Sequence, residues 1–200
     1  MIFIDLDGVL AEFCGAFSRL IQQEDPTMPT IITSMQEDWG TWGGVMTNKR
    51  LNLGWESAKA TDNFWETLSP LAAPSVFQRI AAAHKTIPIL FVTSRIATAG
   101  RSVQQQCINW LEAHGIEDPL VIVAGGDQRG RTGKTNKANI ARVWNPYFII
   151  EDGPQNALDY AEAGFEVALL DWPYTKDTKA PGIHRCTTTE ALEMAGVPYL

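Results

Sequence analysis

Two aspartates follow the first apolar segment of the chain at a spacing that suits phosphoryl transfer. Asp5 and Asp7 come directly after Ile2-Phe3-Ile4, and Gly8 permits the sharp turn that brings both side chains to one side. Transfer of a phosphoryl group to a carboxylate needs one anion that attacks phosphorus and a second acid that protonates the leaving oxygen. The pair offers both groups. A solvated acidic turn is the structural alternative.

Two later apolar segments end in residues that fit the same chemistry. Thr93 and Ser94, followed by Arg95, supply hydroxyls that can bind a phosphoryl oxygen. Glu151 and Asp152 add two carboxylates, which suit a hard, oxygen-ligated cation such as Mg²⁺. In this order and combination, the residues favour a site for a small phosphate monoester beside a metal ion.

These residues need a sheet that brings the ends of distant segments together. Near-continuous apolar runs are typical of parallel strands covered on both faces. The predicted strands are Ile2–Leu6, Ile87–Thr93, Leu120–Ala124, Tyr147–Ile150 and Val167–Leu170. Helices are predicted over Ser75–His84, Arg101–His114 and Pro154–Ala163, where Pro or Gly marks an end. The alternation predicts an α/β fold with a doubly wound, mainly parallel five-stranded sheet.

One interval is too long for a single crossover helix. Residues 12–72 contain helical patterns at Phe13–Glu24 and Asn48–Ala60 and four tryptophans. We therefore expect a small, mainly helical cap inserted after the first strand. Residues 1–11 and 73–200 would form the core domain.

Composition narrows the class of protein. A net charge of −7 argues against binding to a nucleic-acid polymer, which needs a basic face. No apolar stretch approaches the roughly 20 residues of a membrane helix, and no secretory leader is seen. Three widely spaced cysteines fit reduced thiols better than a disulfide framework or a zinc site. We expect a cytoplasmic protein without a membrane partner, and a homodimer remains an open alternative.

The motifs together resemble the haloacid dehalogenase (HAD) superfamily over essentially the whole chain. They are the Asp-Leu-Asp-Gly-Val opening, the apolar run that ends in Thr93, a basic segment and the late acidic pair. The resemblance implies a Rossmann-like core and an aspartyl-phosphate on Asp5, with Asp7 as general acid and then base. It also implies Mg²⁺ held by Asp5, the backbone carbonyl of Asp7 and Asp152, and it leaves Glu151 as either a ligand or a neighbour of the ligands.

The lysine that this superfamily places beside the nucleophile has two candidates. Lys137 precedes Glu151 by 14 residues and is preferred, whereas Lys134 could reach the same place.

A nucleotide-binding P-loop is an alternative reading of Gly133-Lys134-Thr135, but Gln128 stands where that motif requires glycine. The three histidines form no legible Ser-His-Asp arrangement.

Within the superfamily, the chain is most similar to the 5′(3′)-deoxyribonucleotidase-type nucleotidases. The particular segments are Trp55-Glu56-Ser57, Phe64 to Pro70 and Leu170 to Tyr174. Aromatic side chains of the cap could stack on a nucleobase, although each could instead be part of the cap core. The candidates are Trp39, Trp42, Trp55, Phe64 and Trp65. The chain departs from these nucleotidases at Glu151, where they carry Asp, and at Thr175, where they carry Asn.

The sequence thus predicts a Mg²⁺-dependent phosphatase for a nucleoside monophosphate, a 5′- or 3′-deoxyribonucleotide. One alternative is a phosphatase for another small phosphorylated metabolite. The other is a relative that binds nucleotide or a partner without turnover.

Overall fold

A computed structural model of the chain describes residues 1–38, 41–125 and 136–199. Its centre is a six-stranded sheet in which every neighbouring pair is parallel. The strands are β1 (Ile2–Ile4), β2 (Ile89–Thr93), β3 (Leu120–Val123), β4 (Phe148–Glu151), β5 (Val167–Leu170) and β6 (Ile183–Cys186). Their spatial order is β3-β2-β1-β4-β5-β6. The predicted doubly wound α/β fold is confirmed.

The sheet has one strand more than the five predicted. β6 contains Ile183, His184, Arg185 and Cys186, and its two central side chains are exposed. It pairs only with β5 and lies at the edge of the sheet among the described strands. An edge strand with exposed polar residues lacks the apolar run that marks a buried strand, which is why the sequence pattern missed it.

Helices cover both faces of the sheet. They are α1 (Phe13–Glu24), α2 (Asn48–Ala60), α3 (Pro74–His84), α4 (Val103–Ala113), α5 (Asn136–Trp144), α6 (Pro154–Glu162) and α7 (Thr188–Met194). Three short 3-10 turns lie at Thr33–Met35, Phe64–Glu66 and Pro173–Thr175. Among the described helices, none combines the length and the apolarity that a bilayer crossing demands.

Local signals fix the ends of several helices. Pro74 and Pro154 open α3 and α6, where a missing N–H costs nothing. The Ser102 hydroxyl caps α4 by accepting a hydrogen bond from the Gln105 N–H. Alternating residues of β1 then face opposite cores: Ile2 and Ile4 join one apolar cluster and Phe3 the other. The sheet is therefore buried on both faces.

The segment between β1 and α3 forms a helical insertion. Its entry and exit run side by side, with a bridge between Ala11 and Pro70 and a hydrogen bond from Glu12 N–H to the Ser69 carbonyl. Helices α1 and α2 pack together over a separate apolar cluster. That cluster consists of Cys14, Phe17, Ile21, Met28, Ile31, Trp42 and Met46. A cap is consistent with this arrangement, and the division into 1–11, 12–72 and 73–200 stays a prediction.

Close packing of α1 against α2 depends on Gly54. An added Cβ there would overlap the ring of Phe17. We expect Gly54→Ala to lower the free energy of unfolding by about 1–3 kcal/mol, because an overpacked contact outweighs the gain in helix propensity. Urea unfolding measures the change.

Gly15→Ala in α1 is the matched control. A Cβ at Gly15 would lie 3.4 Å from the nearest side-chain atom, an ordinary contact. We expect this variant to be as stable as the wild type or slightly more stable. Equal stability of the two variants would contradict the packing argument.

Candidate active site

Asp5 lies at the carboxyl end of the central strand, where the strand order reverses. Its N–H donates to the Ile150 carbonyl of β4 at 3.0 Å, which continues the sheet register past β1. The Asp5 side chain accepts a hydrogen bond from the Leu6 N–H at 2.7 Å. In open parallel sheets, this reversal point is where ligands bind. The fold therefore places the first predicted aspartate at the expected edge.

A lysine from α5 neutralises part of the charge around Asp5. Lys137 Nζ lies 2.6 Å from Asp5 Oδ2 and 3.0 Å from Glu151 Oε2. Burial alone would lower the pKa of Lys137, but the charges of Asp5 and Glu151 raise it above its usual value. Lys137 is therefore a buried cation. Lys134, the other candidate, lies outside the described residues.

Glu151 is held by donors on both of its oxygens. Oε1 accepts from the N–H groups of Asp152 at 3.2 Å and Gly153 at 2.9 Å, and Oε2 accepts from Lys137. Burial would raise the pKa of Glu151, but Lys137 and these hydrogen bonds hold it below its ordinary value. Glu151 is therefore suited to fixing the position of Lys137.

Asp152 completes a cluster of three buried acids. One carboxylate oxygen from each of Asp5, Glu151 and Asp152 lies within 4.8 Å of the others. Asp152 Oδ2 accepts a hydrogen bond from the Tyr174 hydroxyl at 2.7 Å. Burial and the charge of Asp152 raise the pKa of Tyr174, so its hydroxyl is the donor.

The charge balance of this cluster fits a divalent cation. Lys137 contacts two of the three carboxylates, and each of these acids is less than 10% exposed. Burial and the charge of Glu151 raise the pKa of both Asp5 and Asp152 well above the ordinary range. A cation between Asp5 and Asp152 would favour the ionised form of both. Oxygen donors of this kind suit Mg²⁺.

Asp7 is oriented by a buried arginine. Arg95 Nε donates to Asp7 Oδ2 at 2.9 Å and a terminal nitrogen donates to Oδ1 at 2.7 Å. The Arg95 side chain is 0% exposed and the Asp7 side chain is 20% exposed. The remaining terminal nitrogen of Arg95 contacts Cys107 Sγ at 3.2 Å. The predicted contact of Arg95 with substrate stays a prediction.

The two hydroxyl residues after β2 differ in exposure. Thr93 ends the strand and is 1% exposed, whereas Ser94 is exposed. Because β2 pairs with β1 in parallel register, both lie at the same edge as Asp5. Their predicted contacts with a phosphoryl group stay predictions.

The predicted aromatic residues separate into two groups. Trp42 and Trp55 line a cavity of about 230 Å³ between α1 and α2, together with Phe13, Phe17 and Gln36. Phe64 and Trp65 are 2% and 1% exposed and pack in the main core, so neither ring offers a stacking face in this arrangement. Sequence pattern alone cannot separate a core aromatic from a binding one. Trp39 lies outside the described residues.

Two residues of the turn after β5 reach the site and were not predicted to do so. Tyr174 contacts Asp152, and the Trp172 Nε1–H donates to the Gly8 carbonyl at 2.8 Å. The sequence marked Leu170 to Tyr174 only as a segment that is similar to the nucleotidases. The contacts join residues 22 and 164 positions apart, which no local pattern reveals.

Comparison with known proteins identifies the fold. No family model and no curated protein matches the chain. A HAD family hydrolase from Deinococcus radiodurans R1, solved with bound phosphate and sodium, is similar with a TM-score of 0.56 and 14% identity, covering 98% of this chain and 96% of that one. D,D-heptose 1.7-bisphosphate phosphatase from B. bronchiseptica, complexed with magnesium and phosphate, is similar with a TM-score of 0.54 and 14% identity. The match covers 98% of this chain and 97% of that one. Mycobacterium tuberculosis Protein Tyrosine Kinase A is similar with a TM-score of 0.64 and 14% identity, and the match covers 98% of this chain and 97% of that one.

At this identity the likeness establishes the architecture. The chain has the α/β fold of the HAD-like hydrolases, in agreement with the resemblance seen in the sequence.

Removal of Lys137 should destabilise the fold, because this lysine contacts the buried carboxylates of Asp5 and Glu151. We expect Lys137→Met, measured without divalent cation, to lower the free energy of unfolding by about 3 kcal/mol, because it leaves buried carboxylates without a partner. Lys59→Met removes the exposed Lys59–Glu56 pair and should cost less than about 1 kcal/mol. Equal losses in urea unfolding would show that the buried lysine does not compensate the acids.

Proposed function

We propose that the chain is a Mg²⁺-dependent phosphatase that hydrolyses a nucleoside monophosphate through an aspartyl-phosphate on Asp5. The observation that carries this proposal is the placement of Asp5 against Lys137, beside a second acid that Arg95 orients. The fold likeness to a phosphatase complexed with magnesium and phosphate supports the reaction class.

Asp5 and Asp7 divide the reaction between them. The Asp5 carboxylate attacks phosphorus, so that an Asp5 O–P bond forms while the bond from phosphorus to the leaving oxygen breaks. Asp7 gives its proton to that oxygen and then takes a proton from the water that attacks the aspartyl-phosphate. Free phosphate leaves and Asp5 is restored. The bidentate contact with Arg95 fixes the orientation from which Asp7 begins these steps.

The remaining polar residues hold charge and position. Asp5, Asp152 and the backbone carbonyl of Asp7 would hold Mg²⁺, which when bound neutralises charge on the phosphoryl group. Lys137 adds a fixed positive charge at Asp5, and Glu151 orients Lys137. Thr93 and Ser94 would bind phosphoryl oxygens.

The cavity in the insertion supports a substrate with an aromatic ring. It is smaller than pockets for drug-sized ligands, which measure about 300–1,000 Å³, so it suits one ring system. Cys14 also lines the cavity; burial raises the pKa of its thiol, and the charges of Glu12, Asp152 and Asp7 add to the rise. A nucleobase stacked on Trp42 or Trp55 would leave its phosphate directed toward Asp5.

We also propose that the enzyme works in the cytoplasm. All three cysteines are free and buried, as in proteins kept in a reducing compartment.

Asp5→Asn tests the reaction class. We expect it to abolish release of phosphate from a generic chromogenic ester, because an amide cannot act as the nucleophile, while far-UV circular dichroism stays unchanged. Asp62→Asn, at an exposed position, should retain full activity. EDTA should stop the wild type and excess Mg²⁺ should restore it. Full activity of the Asp5 variant would refute the proposed nucleophile.

Substrate class is tested by kcat/KM across 5′- and 3′-nucleoside monophosphates, deoxynucleotides and sugar phosphates. We expect deoxynucleotides to be preferred. Trp55→Leu should lower kcat/KM for them about tenfold, from lost stacking, and leave glycerol phosphate unaffected. Trp144→Leu, at a half-exposed position on α5, is the matched control. An active enzyme that cleaves sugar phosphates and ignores every nucleotide would contradict the substrate proposal and leave the reaction class intact.

A further inference from the structure

The short turn after β5 contacts both halves of the candidate site. From this turn, the Tyr174 hydroxyl reaches Asp152 Oδ2 at 2.7 Å and the Trp172 indole N–H reaches the Gly8 carbonyl at 2.8 Å. Asp152 follows β4, and Gly8 belongs to the loop that follows β1. This turn is thus bonded both to the Asp152 carboxylate, which follows β4, and to the Gly8 backbone in the loop that follows β1.

The turn itself is fixed by Thr175, which is fully buried. The Thr175 hydroxyl accepts from the Trp172 N–H at 3.1 Å and donates to the Leu170 carbonyl at 2.8 Å. The Thr175 N–H closes the turn on the Trp172 carbonyl at 3.0 Å. These bonds tie the turn to the end of β5, so Trp172 and Tyr174 project from a rigid base.

Close packing makes the two contacts depend on each other. Gly8 has a φ of 76°, and an added Cβ there would overlap the carboxylate of Asp152. The loop after β1 therefore lies directly against Asp152. A shift of either part would move the other, and Trp172 and Tyr174 hold both.

The Tyr174 bond leaves Asp152 with one orientation. Oδ2 is the acceptor of the tyrosine hydroxyl, so the other oxygen of the carboxylate is directed away from that bond. Groups that hydrogen-bond to a metal ligand fix its geometry, and their loss weakens metal binding by about 10–100-fold in known sites.

We propose that Tyr174 and Trp172 are positioning residues: Tyr174 orients Asp152 for a divalent cation, and Trp172 fixes the Gly8 loop that carries Asp7. The proposal rests on the proposed function for the identity of the site. Neither side chain takes part in bond making or breaking.

Cation affinity is the direct test, because it does not depend on turnover. Binding of Mn²⁺ to the full chain is followed by electron paramagnetic resonance of the free ion. We expect Tyr174→Phe to raise the dissociation constant roughly tenfold. Tyr147→Phe is the matched control: it removes a tyrosine hydroxyl bonded to the Ala195 carbonyl, away from the site, and should leave the dissociation constant unchanged.

A second variant guards against a folding defect in the first. Trp172→Phe keeps an aromatic ring, although a smaller one, and removes the N–H that bonds the Gly8 carbonyl. We expect a smaller rise in the dissociation constant, roughly threefold. At saturating Mg²⁺, kcat should fall while KM stays the same, because the Asp7 loop is displaced. Circular dichroism without metal checks that both variants are folded.

The outcomes separate this inference from the proposed function. A folded Tyr174→Phe variant with wild-type affinity for Mn²⁺ would overturn the positioning role. If Tyr174→Phe lowers the affinity for Mn²⁺ but the wild type cleaves no phosphate ester, the positioning role is supported and the proposed phosphatase activity is contradicted. A wild type that binds no Mn²⁺ would overturn both.

Discussion

One ammonium group shared by buried carboxylates is the constraint on which the rest of the site depends. Lys137 contacts Asp5 and Glu151, while Asp152 lies in the same cluster. Buried charge is costly unless it is paired. Burial and the charge of Glu151 raise the pKa of both Asp5 and Asp152, and the opposing effect of Lys137 does not offset them. The surplus of buried acids is a cost to the fold, which the proposed divalent cation would offset.

The fold produces this concentration of charge through strand order. β1 lies between β2 and β4, so residues that follow three different strands meet at one edge. Neighbours then reduce the freedom of each group: Arg95 for Asp7, backbone N–H groups for Glu151, and Tyr174 for Asp152. Preorganised groups need little rearrangement when charge develops during a reaction. The insertion adds a separate cavity lined by the aromatic side chains of Trp42 and Trp55.

Sequence reasoning succeeded where a signal is local. Apolar runs predicted five strands, and the order of acidic and hydroxyl residues predicted which groups share an edge. It failed for β6, whose exposed His184 and Arg185 interrupt any apolar run. It also did not reveal that Arg95 pairs with Asp7, because a basic residue after a strand carries no mark of its partner. Contacts such as Trp172 with Gly8 depend on tertiary packing and have no local signal.

The central claim is that a divalent cation completes the acidic cluster. Anomalous scattering from crystals grown with Mn²⁺ tests it most directly. The account predicts one strong peak between Asp5 and Asp152, within coordination distance of an oxygen of each, with Lys137 still in contact with Glu151. A map without a peak there, in which Asp5 and Asp152 share a proton or turn to other partners, would contradict the account.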